Sequence, residues 1–235
     1  MAKLVQKSGY IKSGKASGYM RYIATREGVE KLVGNGAVTK GQRELIQKLL
    51  TDFPDAAELF EYEDYCKTPT LGTASAFIGM ALDANIHEID SESGYMQYIA
   101  TRPRVQKRGT HGLFSSATAV DLTSAMSELE AHEGNVWTII YSLRREDAAR
   151  LEYDSADAWR TLLMENAPTL AKSMKISLDN FHWYAAFHDE GHHPHIHMMV
   201  WSDDPKEGFL TKDGIAAMRS KLTNAIFRDE MQQIY

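Results

Sequence analysis

The chain has 235 residues, of which 43% are hydrophobic and 25% are charged. These proportions are those of an ordinary globular protein and exclude a disordered or collagen-like chain. The length corresponds to one large domain, or to one domain with an insertion, because domains usually contain about 100–200 residues. The net charge of −6 taken alone argues against a nucleic-acid partner.

The charges are unevenly distributed along the chain. Residues 1–50 contain ten Lys/Arg and three Asp/Glu, and residues 94–118 contain four basic residues and no acid. Residues 51–93 contain ten acids and one lysine. Two basic segments on an acidic protein predict a local cationic surface that can bind nucleic acid.

Several features indicate where the protein works. No apolar run approaches the roughly 18 residues that span a bilayer. The polar, basic N-terminus lacks the apolar stretch of a signal peptide. The single cysteine, Cys66, permits no internal disulfide. We therefore expect a cytoplasmic protein with no membrane partner.

The first half of the chain opens with a predicted strand over residues 3–11, followed by a loop and a helix that Ser17 caps. Apolar residues at helical spacing then predict helices over 41–51, 55–62 and 72–83. We interpret the acidic block, at about residues 40–92, as a helical insertion.

The second half contains a helix, a strand, two helices, two strands and a helix, predicted over residues 119–131, 136–143, 144–152, 155–175, 181–188, 195–201 and 211–231. Only six residues join the last two strands, so the strands are antiparallel, because a parallel crossover needs a dozen residues or more. The predicted fold class is α+β, with helices packed on a central antiparallel sheet.

One decapeptide occurs twice. Residues 17–26 read SGYMRYIATR and residues 93–102 read SGYMQYIATR, so nine of ten positions match. Two copies are too few for a solenoid. Either both copies are core-facing helices of shared ancestry, or both face one site, and the match does not separate these interpretations.

Five of the nine histidines fall within ten residues. His195 and His197 alternate along a strand, which places both imidazoles on one face, and the hairpin returns His188 beside them. Three converging imidazoles predict a metal site with open positions, and Asp189 and Glu190 are predicted to orient its rings. The other interpretation is a solvated histidine-rich loop. His192 and His193 are predicted to be exposed or to face DNA.

A divalent ion held by imidazoles polarises an oxygen and neutralises charge, which suits a phosphodiester substrate. Tyr22 and Tyr98 lie in the basic segments and are candidate nucleophiles, although a phenol needs activation at neutral pH. Packing on amphipathic helices is the alternative role of these tyrosines. Position directly after the first strand favours Tyr22 over Tyr98.

The segment HDEGHHPHIH, residues 188–197, resembles the third motif of HUH-type conjugative relaxases of the MobP and MobL groups. MRYIATREG and MQYIATRPR resemble their first motif, which carries the nucleophilic tyrosine. With EYEDY, RPRVQKRGTHGLF and HEGNVWT, the chain is most similar to MobL-like relaxases of Gram-positive plasmids and integrative elements, over nearly its whole length. The family's usual asparagine before Pro194 is His193 here.

The resemblance implies one relaxase domain over residues 1–235, with the histidine cluster at the centre of its sheet. His188, His195 and His197 match the ligand positions for a Mg²⁺ or Mn²⁺ ion. The implied activity is nicking of one DNA strand at an origin of transfer, which leaves a 5′-phosphotyrosine and a free 3′-OH. The implied partners are this DNA, single-stranded around the nick, with transfer accessory proteins and a coupling protein.

Two alternatives stay open from the sequence. The first is a rolling-circle replication initiator with the same chemistry, and the second is a non-catalytic DNA-binding module with a structural metal. In each case the basic residues near the repeats are candidate phosphate contacts: Arg21, Arg26, Lys31, Arg102, Arg104, Lys107 and Arg108. Phe114, Trp183 and Tyr184 are candidates for stacking on unpaired bases, although core packing is the favoured role of Trp183.

Overall fold

The computed structural model describes residues 3–10, 36–85, 96, 99–100, 105–107, 110–117, 119–189 and 193–228. The chain divides into two compact units, one of Met1–Ile11 with Glu92–Tyr235 and one of Lys12–Ser91. This division does not test the prediction that residues 1–235 form a single relaxase domain with a helical insertion at about 40–92.

The described part of the Lys12–Ser91 unit is helical, with α1 at Lys40–Asp52, α2 at Phe60–Lys67 and α3 at Leu71–Asn85. Thr39 caps α1, because its hydroxyl accepts a hydrogen bond from the Gln42 backbone N–H at 3.1 Å. The Gln42 side chain accepts one from the Thr39 N–H at 3.0 Å, which completes a capping box. The predicted helices over 41–51 and 72–83 are confirmed.

The predicted helix over 55–62 is wrong in its form, because the chain makes two elements there. Pro54 starts a short 3-10 helix, Pro54–Glu58, and Leu59 then adopts an extended conformation. Helix α2 begins after it. Proline favours a helix start because its missing N–H is one that a first turn leaves unbonded, so Pro54 begins a separate turn.

The other unit contains a five-stranded sheet, in the order β1-β3-β5-β4-β2. Every neighbouring pair is antiparallel, which confirms the predicted α+β class. The strands are β1 Val5–Tyr10, β2 Leu113–Phe114, β3 Trp137–Ser142, β4 Phe181–His188 and β5 His195–Ser202. Four of these strands fall where the sequence predicts them, and the two-residue β2 was not predicted.

Four helices of this unit lie wholly within the described residues: α4 Leu122–Glu130, α5 Arg145–Arg150, α6 Ala156–Ser173 and α7 Lys212–Ile226. Asp121, Ser155 and Thr211 cap α4, α6 and α7 with side-chain oxygens. The predicted helix over 211–231 ends earlier, because Phe227 leaves the helical conformation. Within the described ranges, no helix combines the length and apolar character that crossing a bilayer requires.

One face of the sheet packs on α6 and α7. On β5, Ile196, Met198 and Val200 alternate inward and join one apolar cluster with residues of both helices. The residues between them lie on the opposite face, because side chains alternate along a strand. The fold therefore leaves one face of the sheet for the histidines.

Candidate metal centre

Three histidines meet where β4 ends and β5 begins. His188 lies directly opposite His195, and His197 lies opposite Ala186. Paired residues of neighbouring strands share a face, so the three imidazoles stand on the face away from the apolar cluster. The small side chain of Ala186 leaves the space beside His197 to the other two rings.

The three rings are close together and buried. Their centroids are 4.6 Å apart for His188 and His197, 5.1 Å for His195 and His197, and 5.2 Å for His188 and His195. One ligand nitrogen from each ring lies within 4.8 Å of the others, and none of the three histidines is more than 1% exposed. The predicted convergence of these histidines is confirmed.

Backbone carbonyls fix the orientation of two rings. The Nε2 atom of His188 is 2.8 Å from the Ile99 carbonyl oxygen, and the Nδ1 atom of His195 is 3.1 Å from the His193 carbonyl oxygen. A carbonyl only accepts, so these nitrogens carry the ring protons in the neutral tautomers. The lone pairs are then on Nδ1 of His188 and Nε2 of His195, as metal ligation requires.

The prediction that Asp189 orients a ring is wrong. Its carboxylate lies 2.5 Å from the guanidinium of Arg145, and its side chain is 58% exposed. The residue leaves the strand after His188 and turns toward α5, so the carbonyls of Ile99 and His193 orient the rings instead. Glu190 lies outside the described residues.

The prediction that His193 is exposed is also wrong, because this residue is 4% exposed. The Pro194 carbonyl accepts a hydrogen bond from the Leu143 N–H at 3.2 Å, which continues the pairing of β3 and β5 past His195. This holds His193 against the sheet end, where its carbonyl reaches His195. His192 lies outside the described residues.

The donor set fits a divalent transition-metal ion. Three neutral imidazole nitrogens are ligands for such ions, and carbonyls engage the ring protons of His188 and His195, as they do in metal centres. Three protein ligands leave at least one further coordination position on a bound ion. An open position is what a catalytic ion needs and a structural ion lacks.

A family model described as MobL relaxases matches residues 1–235 of the chain. The chain belongs to the MobL relaxase family. The membership confirms the resemblance of the repeats and histidine motif, and it gives the protein a DNA-nicking function and DNA as its partner. No curated protein and no solved structure matches the chain.

Most other residues predicted for the relaxase site lie outside the described residues. This holds for both candidate nucleophiles and for most candidate phosphate contacts: Tyr22, Tyr98, Arg21, Arg26, Lys31, Arg102, Arg104 and Arg108. Lys107 is described and exposed. Two residues before it, Val105 pairs with His188 in an isolated antiparallel bridge. Lys107 therefore lies close in sequence to a residue that pairs with a candidate metal ligand.

The pairing of segment 105–107 with β4 was not predicted, although Lys107 was named as a candidate phosphate contact. The Gln106 N–H donates to the Phe187 carbonyl at 2.9 Å, and the Val105 bridge adds to this contact along the outer edge of β4. A pairing of so few residues has no alternation to detect. Two signals related this segment to function, the basic character of 94–118 and the resemblance of RPRVQKRGTHGLF to the relaxase family.

The three aromatic side chains proposed for base stacking have other partners. Phe114 is buried on β2 and contacts Trp183 edge-to-face at 6.2 Å, so the prediction of a base-stacking Phe114 is wrong. Trp183 is a core residue, as favoured. Tyr184 stacks on Trp201 at 5.6 Å and donates its hydroxyl to Glu128 at 2.9 Å. Burial and this bond raise the pKa of Tyr184 to about 12, which makes it a poor nucleophile.

Proposed function

We propose that this relaxase nicks one strand at an origin of transfer by metal-assisted transesterification and so starts conjugative transfer or mobilisation. A tyrosine oxygen attacks the phosphorus, which leaves the 5′ end of the DNA on the tyrosine and a free 3′-OH. The observation that carries the proposal is the buried histidine triad, with two ring protons directed to the carbonyls of Ile99 and His193.

The triad is suited to holding a divalent ion, and other residues of the chain supply the nucleophile and the DNA contacts. His188, His195 and His197 would bind a divalent cation, which neutralises charge on the scissile phosphate when bound. The carbonyls hold two rings in the tautomer and orientation that metal binding requires, so these rings need not rearrange when the ion binds. A phosphodiester oxygen would take a coordination position that the three nitrogens leave on the ion.

The ligand type supports Mn²⁺ over Mg²⁺ as the proposed ion. Mg²⁺ prefers six oxygen ligands and gives up water reluctantly, whereas imidazole nitrogen binds first-row transition ions. Three nitrogens from the triad are therefore a better set for Mn²⁺. We propose Mn²⁺ as the activating ion, with Mg²⁺ as a weaker substitute.

The structure also bears on the choice of nucleophile. Ile99 follows Tyr98 directly in the chain, and the Ile99 carbonyl is 2.8 Å from the ring of His188. The second repeat is thus tied by hydrogen bond to the metal centre. Position after the first strand favours Tyr22, but this contact supports Tyr98, and we propose Tyr98 as the attacking residue.

We propose that exposed Lys107 and the arginines of the two repeats, Arg21, Arg26, Arg102, Arg104 and Arg108, bind the DNA backbone. Phosphate contacts of this kind position the strand without reading its sequence. We further propose that the protein acts in the cytoplasm as one relaxase domain with a helical insertion, beside transfer accessory proteins and a coupling protein.

The test is a nicking assay on single-stranded oligonucleotides tiled across the DNA that flanks the gene, with Mn²⁺ or with EDTA. We expect one oligonucleotide to be cut at one position with Mn²⁺ and none with EDTA. His188→Ala should not cut. The matched control is His182→Ala, which removes another histidine of β4 that binds Asp203 instead and should cut normally. Cutting that persists in EDTA would refute the metal-assisted mechanism.

A further inference from the structure

Strand β3 ends in a buried serine. Ser142 is 1% exposed, and in the part of the chain that the structure describes no group forms a hydrogen bond with its Oγ atom. A serine hydroxyl can donate one hydrogen bond and accept two, and most buried polar side-chain atoms have at least one partner. An unbonded hydroxyl in the interior has lost its water without gaining a partner, which costs free energy. The position of Ser142 therefore needs a reason beyond packing.

The register places Ser142 next to a metal-ligating histidine. Ser142 pairs with His195, which in turn pairs with His188, so the three stand in one row on one face of the sheet. The hydrogen bond from the Leu143 N–H to the Pro194 carbonyl belongs to the next pair along. Because the two kinds of pair alternate, Ser142 and His195 form the non-hydrogen-bonded kind, in which Cα atoms are about 4.5 Å apart and side chains are closest. The Oγ atom, one bond from Cβ, therefore lies beside the His195 side chain.

The two residues that pair with Ser142 do not satisfy its hydroxyl. On β1 the paired residue is Val5, whose side chain has no polar atom. On β5 it is His195, whose Nδ1 atom bonds to the His193 carbonyl and whose Nε2 atom is the ligand nitrogen. An ion on the three histidines would bring an oxygen ligand to this face, because three protein ligands leave at least one further coordination position. A hydroxyl is a suitable donor to such an oxygen.

We propose that the Ser142 hydroxyl donates a hydrogen bond to an oxygen ligand of the ion that the three histidines bind. In the protein without DNA this oxygen belongs to a water, and during nicking it belongs to the scissile phosphodiester. The second of these statements rests on the proposed nicking function. The donor is uncharged, so it orients the oxygen without repelling the cation.

This role predicts different effects of removing the hydroxyl with and without the ion. Without the ion the hydroxyl has no partner, so its removal should not lower stability, because an unbonded buried polar group is unfavourable. With the ion, its removal takes a donor from the oxygen ligand and should weaken metal binding. A serine that the fold requires would instead lower stability when its hydroxyl is removed, and a serine that only fills space would change neither quantity.

The experiment compares Ser142→Ala with Ser202→Ala, each of which removes one hydroxyl. Ser202 is the matched control, because it is a buried serine of β5 whose hydroxyl is bonded. Its Oγ donates to the Glu207 carboxylate at 2.7 Å and accepts from the Asp204 N–H at 3.1 Å. Three quantities are measured on the full chain: the free energy of unfolding in EDTA by urea denaturation, the Kd for Mn²⁺ alone, and the lifetime of the water on bound Mn²⁺ by ¹⁷O relaxation of the solvent.

For Ser142→Ala we expect the free energy of unfolding in EDTA to equal or exceed that of wild type. The Kd for Mn²⁺ should rise about tenfold, at the lower end of the effect of removing a group that orients a ligand. The water on the ion should exchange faster, because it has lost a hydrogen-bond donor. Ser202→Ala should be less stable than wild type, since it leaves bonded groups without a partner, and should match wild type in Mn²⁺ Kd and water lifetime.

An unchanged Mn²⁺ Kd or an unchanged water lifetime in Ser142→Ala would overturn the proposal. So would a Ser142→Ala protein that is unfolded or less stable than wild type in EDTA, because the hydroxyl would then serve the fold. A wild-type protein that binds no Mn²⁺ would overturn it as well. If wild type binds Mn²⁺ but nicks no oligonucleotide, the proposed function fails, whereas the Kd and the water lifetime still decide whether Ser142 bonds to a ligand of the ion.

Discussion

The two faces of the sheet are built from the same strands and differ in what they bury. On β5, Ile196 and Met198 pack on helices α6 and α7, whereas His195 and His197 stand on the other face with His188. A shift of one residue in the register would exchange the two sets of side chains. The apolar cluster that fixes this register is therefore also what holds the metal centre in place.

The sheet separates stability from chemistry by using one face for each. The apolar face gains free energy from burial, at about 25 cal/mol per Å² removed from water. The other face buries three imidazoles, polar groups whose burial costs free energy. We infer that substitutions on the first face lower stability, and that those on the second lower activity.

The largest expected effect comes from removing one ligand on the functional face. His195→Ala should lose nicking below detection and Mn²⁺ binding with it, while the protein stays folded. Binding by the wild-type triad should weaken as pH falls through about 6.5, the ordinary imidazole pKa, because only neutral rings bind the ion. Calorimetric titration with Mn²⁺ measures the loss of binding, and circular dichroism shows whether the variant stays folded. Unchanged nicking in His195→Ala would show that the histidine face is not needed for cleavage.

The converse change removes a large side chain from the apolar face. Trp159 of α6 is fully buried in the cluster, and its indole N–H donates to the Tyr153 carbonyl at 2.9 Å. Trp159→Ala should lower the free energy of unfolding by about 3–5 kcal/mol, as measured by urea denaturation. Below its unfolding midpoint the variant should still bind Mn²⁺. Loss of binding in the folded variant would show that the faces are not separable.

A smaller effect is expected at Gly112, where the backbone approaches the outer edge of β4. A Cβ atom there would lie 2.1 Å from the Cγ2 atom of Val105, the residue that bridges to His188. Gly112→Ala should cost about 1–3 kcal/mol of stability and weaken Mn²⁺ binding about tenfold. The matched control is Gly79→Ala in α3, where a Cβ meets nothing within 4 Å. Equal behaviour of the two variants would exclude a role for the Val105 bridge.

The smallest effect concerns a loop far from the metal ligands. Hydrogen bonds from Ser177, Ser202 and Asn180 lower the pKa of Glu207 to about 2. Because the folded pKa is depressed, this stabilisation is present above about 4.5 and is lost as pH falls toward 2. Glu207→Gln should lower the unfolding midpoint at neutral pH, and the difference from wild type should disappear near pH 2. A difference that does not change with pH would refute the ionic contribution.

Long periodic segments were predictable from sequence, and short pairings were not. Strands β4 and β5 have enough alternating residues to reveal both faces, so the convergence of His188, His195 and His197 followed from the i, i+2 spacing and the short loop. Strand β2 and the Val105 bridge have too few residues for any period. Their pairing is decided by tertiary contact with β4.

The surroundings of the metal centre were less predictable than its ligands. Acids next to the histidines suggested orienting partners, but backbone carbonyls of Ile99 and His193 do that work, and a carbonyl leaves no signal in sequence. Lys7 was one of many lysines in a basic segment until the structure showed it to be buried on the face of the sheet that carries His197. Burial and register, which depend on the whole fold, separate it from the exposed lysines.

Mass spectrometry of the protein after reaction with a cut oligonucleotide shows whether a tyrosine attacks the DNA strand at the histidine face. We predict one covalent adduct, carried by the peptide that contains Tyr98, formed only with a divalent ion and absent from His195→Ala and Tyr98→Phe. An adduct on Tyr22 that persists in Tyr98→Phe would show that the first repeat attacks. Strand cleavage without any protein–DNA adduct would contradict the account, because water would then be the nucleophile.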